Sequence, residues 1–122
     1  VGLIGISRDV RAPIETRDIP VEFAAALGEF ESNVAAPVSP SLLAKRARMA
    51  PPRLARLMKK FLGLTPSQFI TKTRIAAASR LLRETGQPVA EIALACGFYD
   101  HSAFTRAFRA VTGVAPSQFR VG

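Results

Sequence analysis

The chain has 122 residues, 48% of them hydrophobic, and a formal net charge of +8, which suits one folded domain or two very small lobes that need mutual support, since about 50 residues alone bury too little surface. One cysteine, Cys96, excludes an intramolecular disulfide framework, and one histidine, His101, excludes a His and Cys zinc cluster. No apolar run is long enough to span a membrane and no signal peptide is visible, so a cytoplasmic protein in a reducing compartment is expected, with no metal and no cofactor.

Residues 1–20 read as the remnant of something upstream. Val1 to Ile6 is apolar with two glycines and suits a strand, Ser7-Arg8-Asp9 stops it, and Ala12-Pro13 and Ile19-Pro20 break any helix. From Val21 the pattern turns helical, with Phe23, Leu27, Phe30 and Val34 on one stripe and Gly28 weakening the interior by about 1 kcal/mol relative to alanine. Residues 33–41 form a linker that closes on a helix start, Ser39 as N-cap and Pro40 at the first helical position. That short helix ends near Ala47, and Pro51 and Pro52 open the next one, giving the outline of a helix-turn-helix over about 39–63.

Gly63 is the expected end of the second helix. Thr65, Pro66 and Gln68 then have capping-box spacing and start the longest helix, about 66–85, with Ile70, Ala77 and Leu81 on one stripe and Ile75, Ala78 and Leu82 beside it. It separates two similar units and so serves as the strut. Pro88 opens the second helix-turn-helix, about 88–112: Val89, Ile92, Ala93 and Cys96 face inward, Gly97 makes the turn, and Asp100 caps a helix from His101 to Val111. After Gly113 a short helix runs from Pro116 to about Arg120.

The chain contains one stretch twice. Residues 50–70 and 100–120 align at an offset of 50 without a gap: Arg56 answers Arg106, Gly63 answers Gly113, and Pro66-Ser67-Gln68-Phe69 answers Pro116-Ser117-Gln118-Phe119. Leu54, Leu57, Met58 and Phe61 stand opposite Phe104, Ala107, Phe108 and Val111, a core stripe at helical spacing used twice. The opposite face carries Pro52, Arg53, Arg56, Lys59 and Lys60 in the first copy and Ser102, Arg106 and Arg109 in the second. Small or polar residues at the start and arginines one turn in suit a helix whose N-terminal half enters a DNA groove. Between Glu31 and Glu84 there is no acidic residue, while Lys45, Arg46, Arg48, Arg53, Arg56, Lys59, Lys60, Lys72, Arg74, Arg80 and Arg83 fall there. A polyanion is the natural partner of such a segment.

The run ALACGFYDHSAFTRAF at 93–108 followed by TGVAPSQFR at 112–120 closely resembles the second helix-turn-helix of the AraC/XylS transcriptional regulators, and residues 42–70 resemble their first. The resemblance covers about residues 24–121. It implies an all-α, homeodomain-like fold of about seven helices, with two helix-turn-helix subdomains joined by a long linker helix. It also implies that each subdomain's second helix enters double-stranded DNA, so that one monomer reads two successive major-groove segments about 34 Å apart. Separately, GISRDV at 5–10 resembles the end of the last strand of a PAS sensor domain, which makes 1–20 the exit of a missing sensing domain and 21–122 the DNA-binding domain. A sequence-specific regulator, more often an activator in this family, follows, with RNA polymerase as a partner and a homodimer organised by the missing domain.

Carried over position by position, the base-reading candidates are Pro52, Arg53, Arg56, His101, Ser102, Ala103 and Arg106, and the phosphate candidates are Lys45, Arg46, Lys59, Lys60 and Arg109. An arginine can give two parallel hydrogen bonds to guanine O6 and N7, whereas phosphate contacts add affinity without sequence information. Ser102 suits either a base edge or its own helix backbone, and Tyr99 either the DNA backbone or a cover for the turn. The first unit departs from the family pattern: Ala50, Pro51 and Pro52 replace polar residues, Arg48 stands at a turn position that is often glycine, and Ala55 at one that is often polar. That unit should therefore lean on arginines and phosphates. Cys96 falls on the core side, which favours packing over an enzyme's nucleophile. The remaining alternative is a basic module indifferent to nucleic-acid sequence.

Overall fold

The computed structural model describes residues 19–121. The strand and PAS-like exit expected upstream of them lie outside the described residues. Among the described residues seven helices follow one another: α1 (Val21–Ser32), α2 (Pro40–Arg46), α3 (Pro51–Leu62), α4 (Pro66–Glu84), α5 (Val89–Ala95), α6 (His101–Thr112) and α7 (Pro116–Val121). Their starts are written in local chemistry. The Ser39 hydroxyl accepts from the Leu42 amide at 3.1 Å, Thr65 and Gln68 close a reciprocal capping box at 3.1 and 2.9 Å, and the Asp100 carboxylate accepts from the Ala103 amide at 2.8 Å. Each such cap satisfies an amide that the first turn cannot bond internally. α3 and α6 both end on a left-handed glycine, Gly63 and Gly113.

Two cores result, and α4 belongs to both. Phe23, Ala26 and Phe30 of α1 pack on Leu43 and Ala44 of α2, Leu54 and Met58 of α3, and Phe69 and Ile70 from the start of α4. Ile75, Ala78 and Leu82 from the rest of α4 pack on Ile92, Ala93, Cys96, Phe104 and Phe108. Aromatic rings tie the elements within each lobe: Phe30 meets Phe69 at 6.0 Å between centroids, and Phe108 meets Phe119 of α7 at 5.2 Å, edge to face. Arg120 of α7 donates to the Leu82 and Thr85 carbonyls, both at 3.1 Å, placing a cation on the open C-terminal end of α4.

Two packing expectations are corrected. Val34 is not on the α1 stripe, because the helix stops at Ser32; the buried residues of α1 are Phe23, Ala26 and Phe30, with Leu27 partly buried beside them, and Val34, in the linker, packs against both cores. Val111 is 40% exposed although its repeat partner Phe61 packs on the first core. The Phe61 ring meets that of Phe23 at 6.3 Å, whereas Val111 faces a groove that it lines with Ser67, Gln68, Thr71 and Lys72.

The two turns also differ, although the repeat aligns without a gap from residue 50 onward. Before it, the matching hydrogen bonds run Ala47, Arg48 and Met49 to Leu43, Lys45 and Ala44 in the first unit, and Cys96, Gly97 and Phe98 to Ile92, Leu94 and Ala93 in the second. The offset there is 49, so the second turn holds one extra residue, Tyr99, which is 90% exposed. The structural counterpart of Gly97 is thus Arg48, and both take the left-handed conformation, at φ 90° and 58°. For arginine that conformation costs roughly 1–2 kcal/mol.

Candidate nucleic-acid interface

α3 and α6 present the outward faces that the repeat implies. Pro52, Arg53, Arg56, Lys59 and Lys60 are exposed on α3, and His101, Ser102, Arg106 and Arg109 on α6; Ala103 is half-buried at the edge of its face. Lys45 and Arg46 are exposed in the last turn of α2. Of the eleven basic residues between Glu31 and Glu84, all but Arg74 are exposed. The Lys60 ammonium lies 5.2 Å from the Phe61 ring centre.

The two helix starts differ chemically. Asp100 occupies an amide at the start of α6 and leaves the Ser102 hydroxyl free of that task. α3 has no side-chain cap, and its first two residues, Pro51 and Pro52, carry no N–H at all. Its next amides, Arg53 and Leu54, both bond the Ala50 carbonyl at 3.0 and 3.1 Å. A helix start normally attracts phosphate through free amides. Here those donors are absent by composition, so any anion contact of α3 must come from side chains.

Two arginines do work that the basic count does not reveal. Arg74 of α4 donates from Nε to the Val34 carbonyl and from a terminal nitrogen to the Ala36 carbonyl, each at 3.0 Å, and its guanidinium lies 5.5 Å from the Phe30 ring centre. Burial pulls its pKa below the ordinary arginine value, with the neighbouring Cys96 opposing that shift. Arg74 sits on the stripe Ile70, Arg74, Ala78, whose other members are buried in the first and second core respectively. A charge at that register was the available sequence signal. Arg120 replaces the core residue Ile70 of the first copy, and that single mismatch in the repeated PSQF-x motif was the signal for its capping role.

Cys96 is buried at the end of α5, and burial pushes its thiol pKa up, while Arg80 and Arg74 pull it partly back. Among the described residues no group of three or more His, Cys, Asp or Glu could hold a metal ion, and no helix is long and apolar enough to cross a membrane.

With this geometry in place, the likenesses to known proteins are specific. A family model described as a helix-turn-helix domain matches residues 43–121. The chain is 38% identical over 94 residues to the transcriptional regulator CdhR of Pseudomonas aeruginosa, covering 77% of this chain and 28% of that protein. It is 35% identical over 93 residues to the transcriptional activator RhaS of Escherichia fergusonii, covering 76% and 34%. Among solved structures, the AdpA DNA-binding domain in complex with a target DNA superposes with a TM-score of 0.79 at 27% identity, over 82% of this chain and 90% of that one. An AraC-type regulator from Chromobacterium violaceum gives 0.75 at 29% identity, over 82% and 89%. The chain belongs to the AraC-type helix-turn-helix family of transcriptional regulators. It spans about a third or less of the length of the two regulators named.

Proposed function

We propose that this chain is the DNA-binding part of a transcriptional regulator and that α3 and α6 enter two successive major-groove segments of one duplex. The observation that carries this reading is the duplicated helix: a core stripe shared at Leu54 and Phe104, Leu57 and Ala107, and Met58 and Phe108, and the same outward arginine, Arg56 and Arg106, at the two ends of a shared α4. α4 has 19 residues and is about 28 Å long, close to one DNA turn. In this reading Arg106 and Arg56 read guanine edges, with Arg53, Pro52, His101, Ser102 and Ala103 lining the base-facing side. Lys45, Arg46, Lys59, Lys60 and Arg109 hold phosphates. The proline-led start of α3 makes the first unit the weaker reader.

The chain acts by binding rather than by catalysis, and activation through RNA polymerase is the favoured outcome, supported by the activator among its relatives. Residues 1–20 connect it to a PAS-like sensing domain that organises a dimer in the cytoplasm. The test is selection of a site from random duplexes, then titration of the winner and a scrambled control at two salt concentrations. A bipartite motif with half-sites about 10 base pairs apart, bound at least about a thousandfold tighter than the control, is expected. Equal binding of every duplex with a steep salt slope would instead identify a sequence-indifferent basic module.

A further inference from the structure

Three segments meet at one point between the lobes: the α1–α2 linker of the first, the middle of α4, and the turn of the second helix-turn-helix. Arg74 joins the first two through its bonds to the Val34 and Ala36 carbonyls and its contact with the Phe30 ring. Gly97 brings in the third. A Cβ added there would lie 2.6 Å from the Val34 carbonyl oxygen and 2.7 Å from Arg74 Nε, the two atoms that bond each other.

The first lobe supplies an internal control for what glycine does at this turn. Arg48 holds the same turn position, also left-handed, yet carries a long exposed side chain. Left-handed backbone alone therefore does not demand glycine in this protein. At position 97 the close approach of another lobe's backbone does.

We propose that Arg74, the Val34 carbonyl and Gly97 form a latch that sets the angle between the lobes, making Arg74 and Gly97 positioning residues for the spacing of the two DNA segments that α3 and α6 contact. The use of the latch rests on the two-groove reading above; its existence does not. Because Arg74 lies where α4 passes from one core to the other, a small rotation there swings both recognition helices. The planar fork, bonded twice and covered by a ring, leaves that joint one arrangement. The Val34 side chain, packed against both cores, backs it from the linker side.

The experiment has an arm without DNA and an arm with it. In a Cys96→Ala background, spin labels at Glu22→Cys of α1 and Glu91→Cys of α5 report the lobe-to-lobe distance distribution. A single narrow distribution is expected, broadened or displaced by Gly97→Ala and by Arg74→Lys, which keeps the charge but loses the fork, and unchanged by Arg48→Ala. Folded variants that keep the narrow distribution overturn the latch.

The second arm uses the bipartite duplex selected by the unaltered protein, a version with two extra base pairs between half-sites, which turns the second by about 70°, and a single half-site duplex. The unaltered chain should lose at least tenfold on the lengthened duplex. Gly97→Ala and Arg74→Lys should lose less than threefold, with half-site affinity within twofold of the original. Equal spacing penalties in all three proteins overturn the positioning role. Failure of the unaltered chain to select any bipartite site, with the distance result intact, sinks the two-groove reading and leaves the joint as a structural latch.

Discussion

Arg106 and Lys59 are both exposed basic residues on like helices, and the DNA-binding reading gives them different roles. In the DNA-binding reading, Arg106→Ala costs about 1–3 kcal/mol of discrimination and relaxes preference at one base pair, which competition with single-substituted duplexes measures. Lys59→Ala weakens cognate and random duplexes alike and lowers the salt slope by about one. Arg48 is held at φ 58° without a glycine's freedom, so Arg48→Gly is expected to stabilise the fold by up to about 1 kcal/mol in urea titration, relief of strain outweighing added unfolded-state entropy. Cys96 titrates higher in the folded chain than in the unfolded one, because burial opposes the thiolate. Its contribution to stability is therefore full below the ordinary thiol value of about 8.5 and is lost as pH rises through the raised folded value. Unfolding measured from pH 8 to pH 10 should show a fall that Cys96→Ala removes.

Among the elements, α3 and α6 solve one problem by different means. α6 uses the Asp100 carboxylate on the Ala103 amide, whereas α3 removes two donors with Pro51 and Pro52. Asp100→Ala should cost about 1 kcal/mol in stability. Asp100→Asn should retain most of the cap and, in the DNA-binding reading, tighten binding by removing an anion from the helix start that enters the polyanionic groove; unchanged or weaker binding by the Asp100→Asn variant would place that end of α6 away from the DNA. The helix limits were legible because their caps are local: Ser39, Thr65 with Gln68, Gly63 and Gly113 each act within a few residues of themselves. The extra residue Tyr99 was not, since the repeat alone shows no gap and only the hydrogen bonds of the two turns count it.

At the scale of the whole molecule, neither lobe stands alone, because α4 gives Phe69 and Ile70 to one core and Ile75, Ala78 and Leu82 to the other. One cooperative unfolding transition is expected, and Phe108→Ala, which deletes a fully buried ring, should lower its free energy by about 3–5 kcal/mol. Hydrogen exchange of α2 amides in that variant measures the coupling: acceleration there, in the opposite lobe, is the expected result, and protection equal to the unaltered protein's would show two independent units.

The class, the element order and the outward basic faces of α3 and α6 were legible in the chain alone. Periodicity, caps and an internal repeat are near-neighbour properties, and a helix turns them into faces by a fixed 100° step. The roles of Arg74, Arg120, Gly97 and Val34 came from folding, since each acts on atoms 35 or more residues away: Arg74 on Val34 and Ala36, Arg120 on Leu82 and Thr85, Gly97 on Val34. In the chain Arg74 is one of many basic residues in an unopposed run. What separates it from the others is partial burial at the point where two cores share a helix, and that environment exists only once both lobes have folded against α4.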